Sequence, residues 1–248
     1  IMRQKDGNVV AATAELYSCM LKDAGIEHGR VAVYGQMDSG QSFAILSALQ
    51  AAMPEISLTG EMGDTLILAA MATKEKDEIE RIRRMGQITT QVVGKTADFL
   101  SSQRSKGQIL VNQQDEPVTI GDVKRNINLW LAELGADNPH GVIFAQGRDA
   151  GVPHSTGDDR SALKLGETIV FDIFPCEPQG GYFYDLTRTW CLGYASDEVL
   201  SLYENVHTVY KTIIAELEAG AHCAKYQERA CQLFQEMGHA TVKDTPTT

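Results

Sequence analysis

The sequence is poor in basic residues and in long apolar runs. Its 22 Lys and Arg are outnumbered by 33 Asp and Glu, which gives a formal net charge of -11 at pH 7. An acidic surface repels nucleic acid and anionic membranes, so neither is expected as a partner. No segment approaches the roughly 18 uncharged apolar residues that a membrane span needs. The chain begins without Met and without a signal-peptide core, so we expect an internal or processed start.

Cysteine is also scarce and irregularly placed. The five cysteines are odd in number and form no C-x-x-C pair. A disulfide framework or a zinc knuckle is therefore not expected, and a reducing cytoplasm is the predicted location. The cysteines are Cys19, Cys176, Cys191, Cys223 and Cys231.

What the sequence does contain indicates two domains. The 248 residues are 43% apolar and 22% charged, which is ordinary for a globular protein with a sizeable core. Residues 1–71 alternate predicted helices with strand-like runs such as Arg30–Gly35 and Thr65–Leu68, as in a small sheet-and-helix domain. A charged amphipathic helix follows from Ala72. We therefore predict one domain over 1–71 and a second over 72–248.

The most informative stretch is Val170–Trp190, which predicts two strands joined by a turn. Val, Ile, Phe, Tyr, Thr and Trp dominate its flanks, and its middle contains two Pro and two Gly. Each strand carries one carboxylate, Asp172 and Asp185. With a turn centred between Pro178 and Gln179, these two residues would pair directly across the hairpin.

Two like charges opposite each other on an apolar hairpin need something to offset their repulsion. A raised pKa on one Asp or a nearby arginine would serve, but a bound divalent cation does so most completely. Strand alternation puts Thr187 on the side of Asp185, where its hydroxyl can support the metal ligands. The alternative is that Asp172 or Asp185 caps a turn or lies at a solvated edge.

A second candidate residue is His154, in a loop bracketed by glycines after the predicted strand Gly141–Ala145. Loops on a rigid scaffold often carry catalytic groups. The alternative is a solvent-exposed loop histidine without a catalytic role.

The segment Gly181–Thr189, preceded by Asp172 in a strand, resembles the metal-binding hairpin of the creatinase/aminopeptidase, or pita-bread M24-type, superfamily. It is closest to Xaa-Pro aminopeptidases and Xaa-Pro dipeptidases. The segment Gly147–His154 is similar to a loop of that family whose His lies beside the metals. Two departures are visible: the spacing between the Asp positions is two residues longer than usual, and Phe174 replaces a usual Gly. An insertion of two residues preserves strand parity.

The resemblance implies an α/β (α+β) fold: a pita-bread catalytic domain preceded by part of a small α/β domain. It also implies later ligands, a His and two Glu, for which the sequence shows no counterpart. An incomplete sequence, a split polypeptide and a relative without the chemistry are three explanations. We expect the first, a pita-bread domain that is incomplete at its C-terminal end.

For function, the resemblance implies a metal-dependent aminopeptidase or dipeptidase that removes the N-terminal residue from Xaa-Pro peptides. Asp172 and Asp185 would bind two divalent ions, and Thr187 would support them. The ions would be Mn²⁺, with Co²⁺, Fe²⁺ or Zn²⁺ as alternatives. His154 would act on the substrate, a metal-activated hydroxide would be the nucleophile, and the protein would be a homodimer. The rival interpretations are a non-catalytic pita-bread module that binds peptides or proteins, and a creatinase-like amidinohydrolase.

Overall fold

A computed structural model describes residues 8–35, 37–63 and 65–244. The chain divides into two compact units, Ile1–Glu75 and Lys76–Thr248. Each unit has a hydrophobic core of its own.

The elements of the first unit are α1 (Val9–Asp23), β1 (Gly29–Val33), α2 (Ser39–Ala52), β2 (Ile56–Gly60) and α3 (Thr65–Met71). They form a small α/β arrangement in which β1 and β2 pair in parallel, with Gly29 opposite Ile56. Parallel strands need a crossover connection, and α2 supplies it. Its core joins Leu49 of α2 and Met53, the residue that follows that helix, to Ala14 of α1 and Ile56 of β2.

The strand predicted at Thr65–Leu68 is wrong, because these residues begin the helix α3. A four-residue apolar run has no periodicity that separates a strand from a helix. The residues that follow, Ala69, Ala70 and Met71, are strong helix formers. They extend the helix beyond the run itself.

The elements of the second unit are α4 (Lys76–Ser101), β3 (Arg104–Lys106), β4 (Ile109–Val111), α5 (Ile120–Glu133), β5 (Val142–Gln146), a 3₁₀ turn (Asp149–Gly151), β6 (Thr168–Ile173), β7 (Leu186–Cys191), α6 (Asp197–Glu216) and α7 (Cys223–Glu236). This unit places helices against a three-stranded antiparallel sheet of order β5-β6-β7. A short antiparallel hairpin, β3–β4, precedes α5.

Burial alternates along β6 and gives the sheet two different faces. Ile169, Phe171 and Ile173 are buried in a core that also contains residues of α4 and α5. The Phe171 ring lies between those of Phe144 and Trp190, with centroid distances of 5.4 and 5.2 Å. The other face, which carries Val170, Asp172 and Thr187, is half-buried or exposed. We call it the open face of the sheet.

The predicted direct pairing of Asp172 with Asp185 is wrong. Asp172 lies opposite Thr187, and the ladder ends at the pair Ile173–Leu186. The turn is therefore centred between Gln179 and Gly180, which both have positive φ values of 67° and 81°. The register differs by two residues from the predicted one, so each side chain stays on its predicted face.

Among the described residues, no helix combines the length and the apolar character needed to cross a bilayer.

Candidate metal centre

Asp172 lies near the end of β6 and is half-buried on the open face. Its register partner on β7 is Thr187. The Thr187 hydroxyl donates a hydrogen bond to Oδ1 of Asp172 at 2.6 Å. One carboxylate oxygen is thus oriented by the neighbouring strand.

Asp185 directly precedes β7, and its carboxyl group lies close enough to that of Asp172 for the two to interact. Although Asp185 is exposed, surrounding atoms exclude part of the solvent from its carboxyl group. This desolvation raises the pKa of Asp185, and the negative charge of Asp172 raises it further. Each effect favours the protonated form of Asp185.

This arrangement suits a hard divalent cation, because two apposed carboxyl groups offer oxygen donors and a cation removes their mutual repulsion. The hydrogen bond from Thr187 is the kind of support that orients ligating carboxylates. The pair provides two ligands and not a complete set. In residues 8–35, 37–63 and 65–244, no group of three or more His, Cys, Asp or Glu side chains is placed to hold a metal ion.

His154 lies in the loop that follows β5 and has a left-handed backbone, with φ of 60°. This conformation is uncommon for a residue other than glycine and is often found at functional sites. His154, which is exposed, and Asp172, which is half-buried, line one cavity of about 310 Å³. Asp185 and Thr187 are not among the residues that line it. Asp172 thus interacts with Asp185 and Thr187, and it shares a cavity with His154.

Asp149 also lines this cavity, and the sequence analysis missed it. Its position in the same glycine-rich loop as His154 could have identified Asp149 as a candidate site residue from the sequence. The contacts that α4 makes with the hairpin were missed too: Arg81 binds Glu177, and the Tyr184 ring covers Gly86. No spacing in the sequence indicates these pairs.

Cys176 and His239, two further residues of types that can bind a metal, have structural surroundings. Cys176 is fully buried, and burial, with the nearby charges of Asp137 and Glu177, raises the pKa of its thiol. A thiol held in this form is a poor nucleophile or ligand. His239 forms a 2.9 Å hydrogen bond with the side chain of Asn205, which fits a structural role.

Comparison with known proteins places this geometry in context. The profile described as "Metallopeptidase family M24" matches residues 80–245. The "Probable dipeptidase PepE" of Mycobacterium tuberculosis is 23% identical over 206 residues, which are 79% of this chain and 50% of that protein. The chain therefore spans about half the length of the curated relatives it matches.

Solved structures show the same fold. The X-Pro aminopeptidase of Thermotoga maritima superposes with a TM-score of 0.70 at 19% identity, covering 94% of this chain and 58% of that one. The Xaa-Pro dipeptidase of Bacillus anthracis gives a TM-score of 0.68 at 18% identity, covering 91% and 57%. These likenesses confirm the predicted fold class. Because the matching profile covers most of the chain, the protein belongs to metallopeptidase family M24.

Proposed function

We propose that the protein is a metal-dependent exopeptidase that removes the N-terminal residue from peptides with proline at the second position. The observation that carries the proposal is the apposed pair Asp172 and Asp185, in which Asp172 accepts a hydrogen bond from Thr187. Membership of a metallopeptidase family supports the peptidase class. The preference for Xaa-Pro is supported by the names of two similar structures, an X-Pro aminopeptidase and an Xaa-Pro dipeptidase.

In this proposal Asp172 and Asp185 hold two divalent ions, with Mn²⁺ preferred because the donors are carboxylate oxygens. When bound, the ions supply a water of lowered pKa as the nucleophile and polarise the scissile carbonyl. Thr187 donates to one oxygen of Asp172 and so leaves the other lone pairs of that carboxylate free for ligation. Asp185 gives up its proton when it becomes a ligand.

His154 is proposed as the residue that acts on the substrate. It shares the cavity above the open face with Asp172, so a peptide carbonyl placed beside Asp172 would lie near the imidazole. A protonated imidazole donates a hydrogen bond to the oxygen on which negative charge develops, and it can transfer a proton to the leaving amine. His154 lines this cavity from a loop residue with a left-handed backbone, and not from a strand of the sheet.

Three broader proposals accompany this function. Residues 1–71 form part of an N-terminal domain and residues 72–248 part of the catalytic domain, in keeping with the two compact units. The protein acts as a homodimer. It works in the cytoplasm, which suits its unpaired cysteines.

A non-catalytic peptide-binding module is the second candidate. One observation favours it: the part of the chain that the structure describes contains no cluster of three metal-ligating side chains. The retained carboxylate pair counts against it, because a site without metal gains nothing from two apposed acids.

The test is thermal unfolding of the wild-type protein and of D185N, each with and without Mn²⁺. At a Mn²⁺ concentration of 100 times Kd, the metal should raise the free energy of unfolding of the wild type by about 2.7 kcal/mol. D185N should lose most of this gain. Without metal it should be up to about 1 kcal/mol more stable than the wild type, because a neutral amide removes the repulsion.

The matched control is D98N, which removes one negative charge from an exposed position of α4. It should respond to Mn²⁺ as the wild type does. Release of the N-terminal residue from an Xaa-Pro peptide then separates the two candidates. Equal Mn²⁺ responses in the wild type and D185N would contradict the metallopeptidase, and binding of an Xaa-Pro peptide without metal or hydrolysis would favour the module.

A further inference from the structure

We propose that contacts between α4 and the hairpin form a latch that positions Asp185 beside Asp172 and thereby sets the affinity of the pair for a divalent cation. The inference rests on the proposed function. The latch consists of Glu78, Arg81 and Gly86 on α4 and of Glu177, Tyr182 and Tyr184 on the hairpin.

Asp185 needs such support because it lies outside the regular ladder of β6 and β7. The last ladder pair is Ile173–Leu186. Beyond it the register is kept but the pairing is sparser: the Tyr184 N–H donates to the Pro175 carbonyl at 3.1 Å, the Glu177 N–H donates to the Tyr182 carbonyl at 3.0 Å, and an isolated bridge joins Cys176 to Phe183. Pro175 and Pro178 lack an N–H group, which limits further ladder bonds. The backbone alone therefore holds this segment less firmly than β7 itself.

The first part of the latch is an ion pair across 96 residues of sequence. Arg81 Nε lies 3.1 Å from Oε1 of Glu177, and Arg81 Nη2 lies 2.6 Å from Oε2. This two-pronged geometry is the strongest form of an Arg–carboxylate contact. The Glu177 side chain is only 20% exposed, so the pair is better shielded from solvent than most surface ion pairs.

The same carboxylate ties the ion pair to the backbone near Asp185. Oε2 of Glu177 accepts a hydrogen bond from the Tyr182 N–H at 3.1 Å. Gly181 permits this approach, because a Cβ at that position would lie 2.4 Å from Oε2 of Glu177. Arg81 therefore acts, through Glu177, on a peptide group three residues before Asp185.

The second part of the latch depends on the alternation of side chains between the two faces of residues 182–185, directly before β7. Tyr182 and Tyr184 contact α4, whereas Asp185 contacts Asp172. The Tyr182 hydroxyl donates to Glu78, and the Arg81 guanidinium lies 4.7 Å above the Tyr182 ring. A displacement of these rings from α4 therefore also displaces the carboxyl group that follows them.

The Tyr184 ring packs against the backbone of α4 at Gly86. Its Cε2 atom lies 2.7 Å from the position that a Cβ of residue 86 would occupy. The ring can therefore approach the helix only because residue 86 is a glycine. This contact holds the residue that directly precedes Asp185.

The chemistry of the pair explains why positioning affects affinity. Two apposed acids repel each other when both are ionised, so the segment that carries Asp185 tends to move away from Asp172. A latch that resists this movement keeps the ligands at the separation that a cation requires. Ligands held in place before binding lose less conformational entropy when the cation binds.

The test compares R81Q with R104Q, two substitutions that each remove one exposed arginine ion pair. Arg104 binds Asp115 at 2.9 Å near the β3–β4 hairpin, and its side chain is 58% exposed against 51% for Arg81. Titration calorimetry with Mn²⁺ should show affinity reduced on the order of tenfold in R81Q and unchanged in R104Q. In a double-mutant cycle, the R81Q/E177Q variant should bind Mn²⁺ no more weakly than the weaker-binding of the two single variants, because both residues act through one contact.

Amide hydrogen exchange of the metal-free protein gives a second readout. R81Q should accelerate exchange at Tyr182 and Tyr184, and R104Q should not. Equal Mn²⁺ affinity in the wild type and R81Q overturns the latch while leaving the proposed function intact. Absence of Mn²⁺ binding in the wild type overturns the proposed function, and unchanged exchange in R81Q then overturns the latch as well.

Discussion

Gly86 and Gly94 both lie within α4, yet a side chain would meet different surroundings at each. A Cβ at residue 86 would meet the Tyr184 ring at 2.7 Å, whereas a Cβ at residue 94 has no atom within 4 Å. Gly86 is buried and Gly94 is exposed. Alanine substitutions at these two positions therefore distinguish the effect of helix propensity on stability from the effect of side-chain packing within one helix.

We expect G94A to raise the free energy of unfolding by up to about 1 kcal/mol, because alanine loses less backbone entropy than glycine in a helix. G86A gains the same propensity but displaces a packed ring, which typically costs about 1–3 kcal/mol. Its net effect should be a loss of about 1 kcal/mol. Urea denaturation measures both changes, and a stabilised G86A would show that Tyr184 does not pack on α4 as described.

At the scale of single elements, α5 shows how its N-terminus is specified by the sequence. Thr119 and Asp122 form a capping box, in which the Asp122 N–H donates to the Thr119 hydroxyl at 3.2 Å and the Thr119 N–H donates to the Asp122 carboxylate at 2.9 Å. Burial by itself raises the pKa of Asp122. Hydrogen bonds from Thr119 and Arg125 outweigh this effect and hold the pKa below its usual value.

We expect D122N to lower the free energy of unfolding by about 1 kcal/mol at pH 7. A carboxyl group whose pKa is lower in the folded state stabilises the protein above its unfolded pKa of about 4, and this stabilisation is lost as the pH falls through the folded value. The difference between D122N and the wild type should therefore shrink below pH ~4. Urea denaturation at several pH values measures it, and a difference that persists in acid would contradict the capping role.

At the scale of the whole molecule, the two compact units have separate cores. Among the residues that the structure describes, the buried apolar cluster of the second unit has 16 members, whereas that of the first unit has four. A core of four residues buries too little apolar surface to offset the conformational entropy of the chain around it. The two units should therefore differ in their ability to fold alone.

We predict that residues 76–248, expressed alone, unfold cooperatively in urea and keep the helical circular dichroism expected from α4 to α7. Residues 1–75 alone should show at most a broad, weak transition. A non-cooperative transition for residues 76–248 would contradict the proposed independence of this unit.

Much of the arrangement was predictable from local sequence. The strand pattern around Asp172 and Asp185 was sufficient to predict that both carboxyl groups lie on one face of a hairpin. That conclusion survives a register error of two residues, because side chains alternate with a period of two. The positions of α1 and α5 likewise follow from apolar periodicity and from the polar residues that cap their N-termini.

By itself, then, the sequence determined the faces of the strands, most helices and the family resemblance, because these depend on neighbours along the chain. Only the tertiary structure decided that Thr187 is opposite Asp172, that His154 shares a cavity with Asp172, and that Arg81 reaches Glu177. Contacts of this kind join segments far apart in sequence. Their geometry depends on turn conformation and on the packing of α4 against the hairpin, for which a single sequence carries no local signal.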